Sequence, residues 1–173
     1  TVERLLELPL IGIVPIIESS NAVVDENDFK KSILEPFRSL RANIKYISNQ
    51  HNAKLFMVCS AIKGEGKTTL TTNLAITFAM DGKKTIIVDA DLRRSQIHSL
   101  LNIPKDLGLS DYIQSKKNID DIIKPTRYNN LCAITSGERP SNPAELLGTP
   151  KFVSVLNELR KKADIIIIDS PAI

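Results

Sequence analysis

Cysteine and histidine are scarce in this 173-residue chain, with two of each. No Cys/His grouping has the spacing of a zinc site. Cys59 and Cys132 fall in apolar, strand-like runs, so buried free thiols in a reducing compartment are expected rather than a disulfide framework. His51 and His98 stand alone and read as surface or cap residues. Long apolar runs are also missing. The longest, Leu8 to Ile17, is broken by Pro9, Gly12 and Pro15 and is far shorter than a membrane span. Acidic residues precede it and no cleavage site follows, which argues against a secretory signal. Internal repeats and low-complexity tracts are absent. The net charge of +3 neither demands nor excludes a nucleic acid or an anionic membrane as partner. The first residue is Thr1 rather than Met, as expected for a piece of a longer protein.

The remaining composition, 42% hydrophobic and 25% charged, is that of a soluble globular protein, and the length allows one domain with a real core. Residues 10–14 read as a short strand and Glu18 to Lys31 as a polar, mobile loop. Residues 32–48 have helical periodicity, with Leu34, Phe37, Leu40, Ile44 and Ile47 on one side. Buried strands are expected at 55–59, 85–89, 131–134 and 164–169. Helices are expected at 68–80, 95–101, 109–115, 143–147 and 150–162, the first of them stopped by Asp81-Gly82. Apolar strands alternating with amphipathic helices predict an α/β, three-layer P-loop fold with a mostly parallel central sheet flanked by helices. Ligands of such sheets bind at the carboxyl ends of the strands.

Three motifs fall at those ends. Ala61-Ile62-Lys63-Gly64-Glu65-Gly66-Lys67-Thr68 fits a phosphate-binding loop between a strand and a helix. Its glycines let the backbone turn around an anion with the N–H groups pointing inward. Lys67 adds positive charge, the Thr68 hydroxyl can ligate Mg²⁺, and the start of the next helix favours phosphate. Residues 62–69, Thr69 included, are the candidate nucleotide-binding set. Second, Ile86-Ile-Val-Asp89-Ala-Asp91 delivers two carboxylates to the same end of the sheet. One can support a metal and the other can accept a proton from an attacking hydroxyl; a polar strand end is the plainer reading. Third, Ile165-Ile-Ile-Ile168-Asp169 has the form of a Walker B strand, whose acid supports the metal.

Together, Ser60 to Thr68, Val88 to Arg94, Asn142 to Leu147 and Ile168-Asp-Ser-Pro171 resemble the catalytic domain of bacterial tyrosine kinases of capsular and exopolysaccharide synthesis and export. Glu35-Pro-Phe-Arg38-Ser-Leu-Arg41 matches the Glu-x-x-Arg-x-x-Arg element that this family uses for subunit contact, and Leu8 to Pro15 resembles the segment before it. The resemblance covers essentially the whole chain. It implies Mg²⁺/ATP-dependent tyrosine phosphorylation in trans, with ADP as product, between subunits of a ring-like homo-oligomer. Lys67, Asp89, Asp91 and Asp169 would form the catalytic set, Asp91 being the preferred proton acceptor. Thr68, Asp89 and Asp169 would hold the metal, and Glu35, Arg38 and Arg41 the neighbouring subunit. It further implies protein tyrosine substrates and a cytoplasmic position at the inner face of the membrane. An adaptor or fused transmembrane domain of the polysaccharide co-polymerase type would hold the chain there; no nucleic-acid partner is expected.

Some residues depart from the family pattern. Lys63 stands where many members carry Pro, and reads as solvated or as a further phosphate contact. Ser95 replaces a Pro. Pro36 replaces a small residue, which requires the helix to begin near Ser32. Ser32-x-x-Glu35 also reads as a capping box, so Glu35 is either a cap or an interface acid. Arg38 and Arg41 share a helix face and read as interface residues or as a solvated basic stripe. Family members continue past the third acidic strand with further strands, adenine contacts and a tyrosine-rich tail. Here Tyr46, Tyr112 and Tyr128 are scattered. The expectation is one domain over 1–173, comprising an N-terminal strand and loop at 1–31, a subunit-contact helix at 32–48 and a C-terminally incomplete nucleotide-binding core at 54–173. Two alternatives remain. A division-site or partitioning ATPase would carry Lys where Ile62 stands. A nucleotide-dependent assembly scaffold for polysaccharide export would bind nucleotide without phosphorylating tyrosine.

Overall fold

The computed structural model describes residues 2–17, 23–24, 31–115 and 118–172. Five strands form its sheet: β1 Leu55–Val58, β2 Thr85–Asp89, β3 Lys124–Pro125, β4 Leu131–Ile134 and β5 Ile165–Asp169. Their order is β1-β5-β2-β4-β3. The first four in that order run parallel, and the two-residue β3 pairs antiparallel with β4. Every residue of β2 and β5 is buried, which is why both read as unbroken apolar runs.

Alternation along the strands sorts the isoleucines onto two faces. Ile87 and Ile167 face a cluster built by α2 (Lys31–His51) and α3 (Lys67–Met80), including Phe37, Leu40, Ile44, Leu74 and Phe78. Ile86, Val88, Ile166 and Ile168 face a second cluster containing Tyr112, Ile122, Val155 and Leu159. Those four come from α5 (Leu109–Gln114), α6 (Ile119–Ile122) and α8 (Pro150–Lys162). The short α4 (Ile97–Leu100) and α7 (Pro143–Leu147) complete the described helices after α3. The result is the predicted α/β three-layer arrangement. Helix α3 lies between α2 and the sheet, so residues 71–79 are buried on all sides. Two of its polar members are bonded within that core: Thr77 Oγ1 donates to the Leu74 carbonyl, and Asn73 Oδ1 accepts from Val24 N–H at 2.7 Å.

The N-terminal region differs from expectation. No strand forms at 10–14; residues 9–17 have no regular structure and follow a five-residue helix, α1 (Val2–Leu6). Pro9 and Pro15 bracket the segment and cannot donate to a ladder. It lies instead along α2, where Asn43 Nδ2 donates to the Ile11 carbonyl and Gly12 packs against Leu40. Of the polar loop expected over 18–31, only Val23, Val24 and Lys31 fall within the described residues, and Lys31 is already helical. Helix α2 starts at Lys31 and runs to His51, three residues past the expected end; Asn52 then takes a left-handed φ of 50°. The Ser32 side chain lies outside the described residues. Cys59 is exposed and Cys132 half-buried, not the buried thiols expected. Strand β1 is an edge strand, and Cys59 lies just beyond its end, where sheet cover stops.

Candidate functional site

Strand β1 leads into a loop whose path depends on two glycines. Gly64 and Gly66 have φ of 89° and 81°, a region that costs L-residues steric strain. No atom lies within 4 Å of where a Cβ would sit at either, so their need for glycine is conformational and not steric. Glu65 braces the loop by accepting from Ile62 N–H at 3.1 Å, and Ser60 Oγ donates to the Ile62 carbonyl at 3.1 Å. The side chains of Ile62, Lys63 and Glu65 are exposed. Gly66 caps α3, whose first residues are Lys67 and Thr68.

Parallel pairing brings the acidic strand ends beside this loop. Asp169 lies across from Val58 on one side and from Asp89 on the other. Its carboxylate is 1% exposed and takes three side chains from the first five residues of α3. Lys67 Nζ lies 3.1 Å from Oδ1, and Thr68 Oγ1 donates to Oδ2 at 2.7 Å. Thr71 Oγ1 sits 3.3 Å from Oδ1 and 2.8 Å from the Lys67 carbonyl, sharing its one proton between them. Thr71 was not anticipated. The available signal was its position three residues beyond Thr68, on the same helix face.

Asp89 is fully buried. Ile97 N–H donates to its Oδ2 at 3.3 Å, while Oδ1 has no partner. Burial, and then the neighbouring Asp169 and Asp91 charges, push its carboxyl up to about 7. An orphaned carboxylate oxygen facing a second carboxylate is a setting that a divalent cation would relieve. Asp91 is anchored differently: its Oδ1 accepts from Arg93 N–H at 3.3 Å and Arg94 N–H at 3.0 Å. It lines a cleft of about 280 Å³ with Lys63, Gly64, Lys67, Thr68, Arg94 and Pro171. Thr69 lines this cleft and also a larger one of about 720 Å³ on the outer side of the loop, against Val14, Phe37 and Leu70. The structure thus gathers Lys67, Thr68 and Asp169 in contact, with Asp89 across from Asp169 on the neighbouring strand and Asp91 and Lys63 on the cleft wall.

The helix α2 residues lie elsewhere. Glu35 and Arg38 are exposed and pair with each other at 2.8 Å. Arg41 turns inward to the last turn of α3, donating to the Thr77 carbonyl at 2.7 Å and facing Asp81 at 3.5 Å.

A family model described as an AAA domain matches residues 53–173. CapB of Staphylococcus aureus, named as a candidate tyrosine-protein kinase, is 39% identical over 83% of this chain and 63% of its own length. The tyrosine-protein kinase YwqD of Bacillus subtilis is 35% identical over 80% of this chain and 59% of its own. The chain therefore spans less than two thirds of these curated relatives. Among solved structures, that of the chimerical protein CapA2B2 superposes with a TM-score of 0.88 and 32% identity, covering 99% of this chain and 74% of that one. The septum site-determining protein MinD of Pyrococcus horikoshii, complexed with Mg-ADP, is more distant. Its TM-score is 0.61 and its identity 28%, over 69% of this chain and 49% of that one.

Proposed function

The chain belongs to the AAA-domain P-loop ATPases and, within them, to the bacterial tyrosine-protein kinases, and from that membership we propose that it transfers the terminal phosphoryl group of ATP to protein tyrosines. The reaction runs in trans within a homo-oligomer and regulates capsular or exopolysaccharide synthesis and export. A membrane adaptor, or a membrane domain on the same polypeptide, keeps the chain at the inner face of the cell membrane.

The observation that carries this reading is the convergence of Lys67, Thr68 and Thr71 on the buried Asp169 carboxylate, with the orphaned Asp89 oxygen beside it. Phosphoryl transfer needs positioning and charge neutralisation more than covalent chemistry. Gly64 and Gly66 line the cleft, where phosphate oxygens would meet the loop's backbone N–H groups. Lys67, held against Asp169, is placed to exchange that carboxylate for a phosphate. Mg²⁺, when bound, supplies charge neutralisation at the phosphates, and the Thr68 hydroxyl and the Asp89 and Asp169 carboxylates are the oxygens that would hold it. Asp91, on the cleft wall, accepts the proton of the tyrosine hydroxyl.

The test is phosphotyrosine mass spectrometry after incubation with Mg²⁺/ATP and a tyrosine-bearing peptide, comparing wild type with Lys67→Met. Phosphotyrosine in the wild type alone is expected. Its absence from both, with nucleotide still bound by the wild type, would replace the kinase with the assembly-scaffold reading.

A further inference from the structure

A cluster of Lys and Arg lies at the end of the sheet opposite the phosphate loop. Parallel strands place their N-terminal ends in one row, and backbone hydrogen bonds fix its members. Ile166 N–H donates to the Lys54 carbonyl, Asp164 N–H to that of Lys84, and Thr85 N–H to that of Asn130. Neighbouring strands lie ~4.8 Å apart, so this row spans roughly 15 Å. Around it stand Lys54, Lys83 and Lys84, just before their strands, and Arg160, Lys161 and Lys162 in the last turn of α8. All are exposed except Lys83, which is half-exposed.

The acids of this end are already engaged. Asp81 is shared between Lys45 and Arg41, Asp164 accepts from Lys84 N–H, and Asp120 pairs with Lys162. Lys54, Lys83, Lys84 and Lys161 make no ion pair among the described residues. Lysines in a last helical turn complement the helix dipole. Lys54, Lys83 and Lys84 lie beyond the helix ends, so that role does not account for them. Nor do they serve the nucleotide: a five-residue strand puts Asp169 on the order of 15 Å away, beyond a Debye length of ~8 Å at physiological salt. The excess of positive charge here is at least as large as the net +3 of the whole chain.

We propose that this lysine-rich end docks directly on an anionic lipid bilayer, with the phosphate-loop end facing away from it. Charge complementarity selects the class of partner: clustered Lys and Arg beside a membrane attract acidic headgroups without a specific pocket. The shape of the surface selects a bilayer over nucleic acid. The row is broad, and the loops carrying Lys54, Lys83 and Lys84 are short helix-to-strand links with no helix or ribbon projecting to enter a groove. The contact is independent of the kinase reading and adds to whatever adaptor the protein uses.

The experiment is flotation of the full chain with vesicles of phosphatidylcholine alone and of phosphatidylcholine with one third phosphatidylglycerol. Binding is expected only to the anionic vesicles, and is lost as salt rises from ~0.05 M to ~0.5 M. Replacing Lys54, Lys83, Lys84 and Lys161 together by Gln is expected to weaken it ~10²-fold or more, with ADP affinity unchanged. The pair Lys84→Gln and Lys161→Gln, a milder change to folding, is expected to fall between. Equal binding to neutral vesicles, undiminished binding by both variants, or tighter binding to duplex DNA than to the anionic vesicles would each overturn the proposal.

Discussion

The guanidinium of Arg41 donates to the carbonyl of Thr77 across 2.7 Å, in the last turn of the helix that begins at the phosphate loop. Four C-terminal carbonyls of a helix lack partners within it, and a half-buried cation there complements both those carbonyls and the dipole. Asp81, the C-cap residue, completes the junction by facing Arg41 and Lys45. Arg41 therefore bolts α2 onto α3, whereas Glu35 and Arg38 present their charges outward.

The two arginines are thus expected to fail differently. Arg41→Ala should lower the stability of the isolated subunit by about 1.5–3 kcal/mol, the range for a lost charged hydrogen bond. Arg38→Ala should leave the thermal midpoint unchanged and reduce the oligomer mass in light scattering. An Arg41→Ala protein that keeps its midpoint and loses only assembly would return Arg41 to the subunit surface.

Asp89 makes stability depend on pH in an unusual direction. Its carboxyl is raised from 3.8 to about 7, chiefly by burial. Between those values the folded state holds one more proton than the unfolded state, so stability falls as pH rises. This contribution is complete below pH ~4 and is lost as pH rises through ~7, a change on the order of 4 kcal/mol. Asp89→Asn should flatten the thermal midpoint across that window and leave the metal-free variant more stable than wild type at pH 8. An unchanged pH slope in differential scanning calorimetry would show that Asp89 is ionised in the fold.

Thr71 is the least conspicuous member of the site, and its expected effect is specific. Its hydroxyl helps hold Asp169 without occupying the cleft, so Thr71→Val should lower kcat about tenfold, equivalent to ~1.4 kcal/mol, with little change in KM for ATP. Thr71→Ser should restore the rate. Steady-state kinetics on a tyrosine peptide separates these outcomes; a rise in KM alone would assign Thr71 to nucleotide binding.

The parts of this arrangement visible in the sequence are those where one chemistry dominates locally. Ile165 to Ile168 can only be a buried strand, and an acid at its end must surface where the sheet stops. Gly64, Gly66, Lys67 and Thr68 announce an anion site through backbone freedom and charge together. What was hidden depends on partners distant in sequence. Arg41 could as well have pointed outward, because its direction is set by Thr77 and Asp81, 36 and 40 residues on. Cys59 sits in an apolar run, but its exposure follows from β1 lying at the sheet edge. Residues 10–14 have strand-like composition without a ladder to join. Helix α6 and strand β3, four and two residues long, are too short to show a period.

Gly108, the residue before α5, packs tightly against the loop that follows β4. Gly108 is extended, so its conformation suits any residue, but a Cβ there would lie 2.2 Å from Gly137 N and 2.3 Å from the Thr135 carbonyl oxygen. Both are backbone atoms, held by Leu109 N–H donating to the Thr135 carbonyl and by Asp111 Oδ2 accepting from Gly108 and Glu138 N–H. Neither can move without breaking the link between α5 and the loop that follows β4. Gly108→Ala should therefore cost more than ~3 kcal/mol, the range in which overpacking breaks a bonded network. The neighbouring loop glycine, Gly137, has a φ of 75° and would add strain of its own if substituted. Urea denaturation measures the cost at Gly108; a midpoint within ~0.5 kcal/mol of wild type would mean that the junction yields and that the loop's position is not fixed by this crossing.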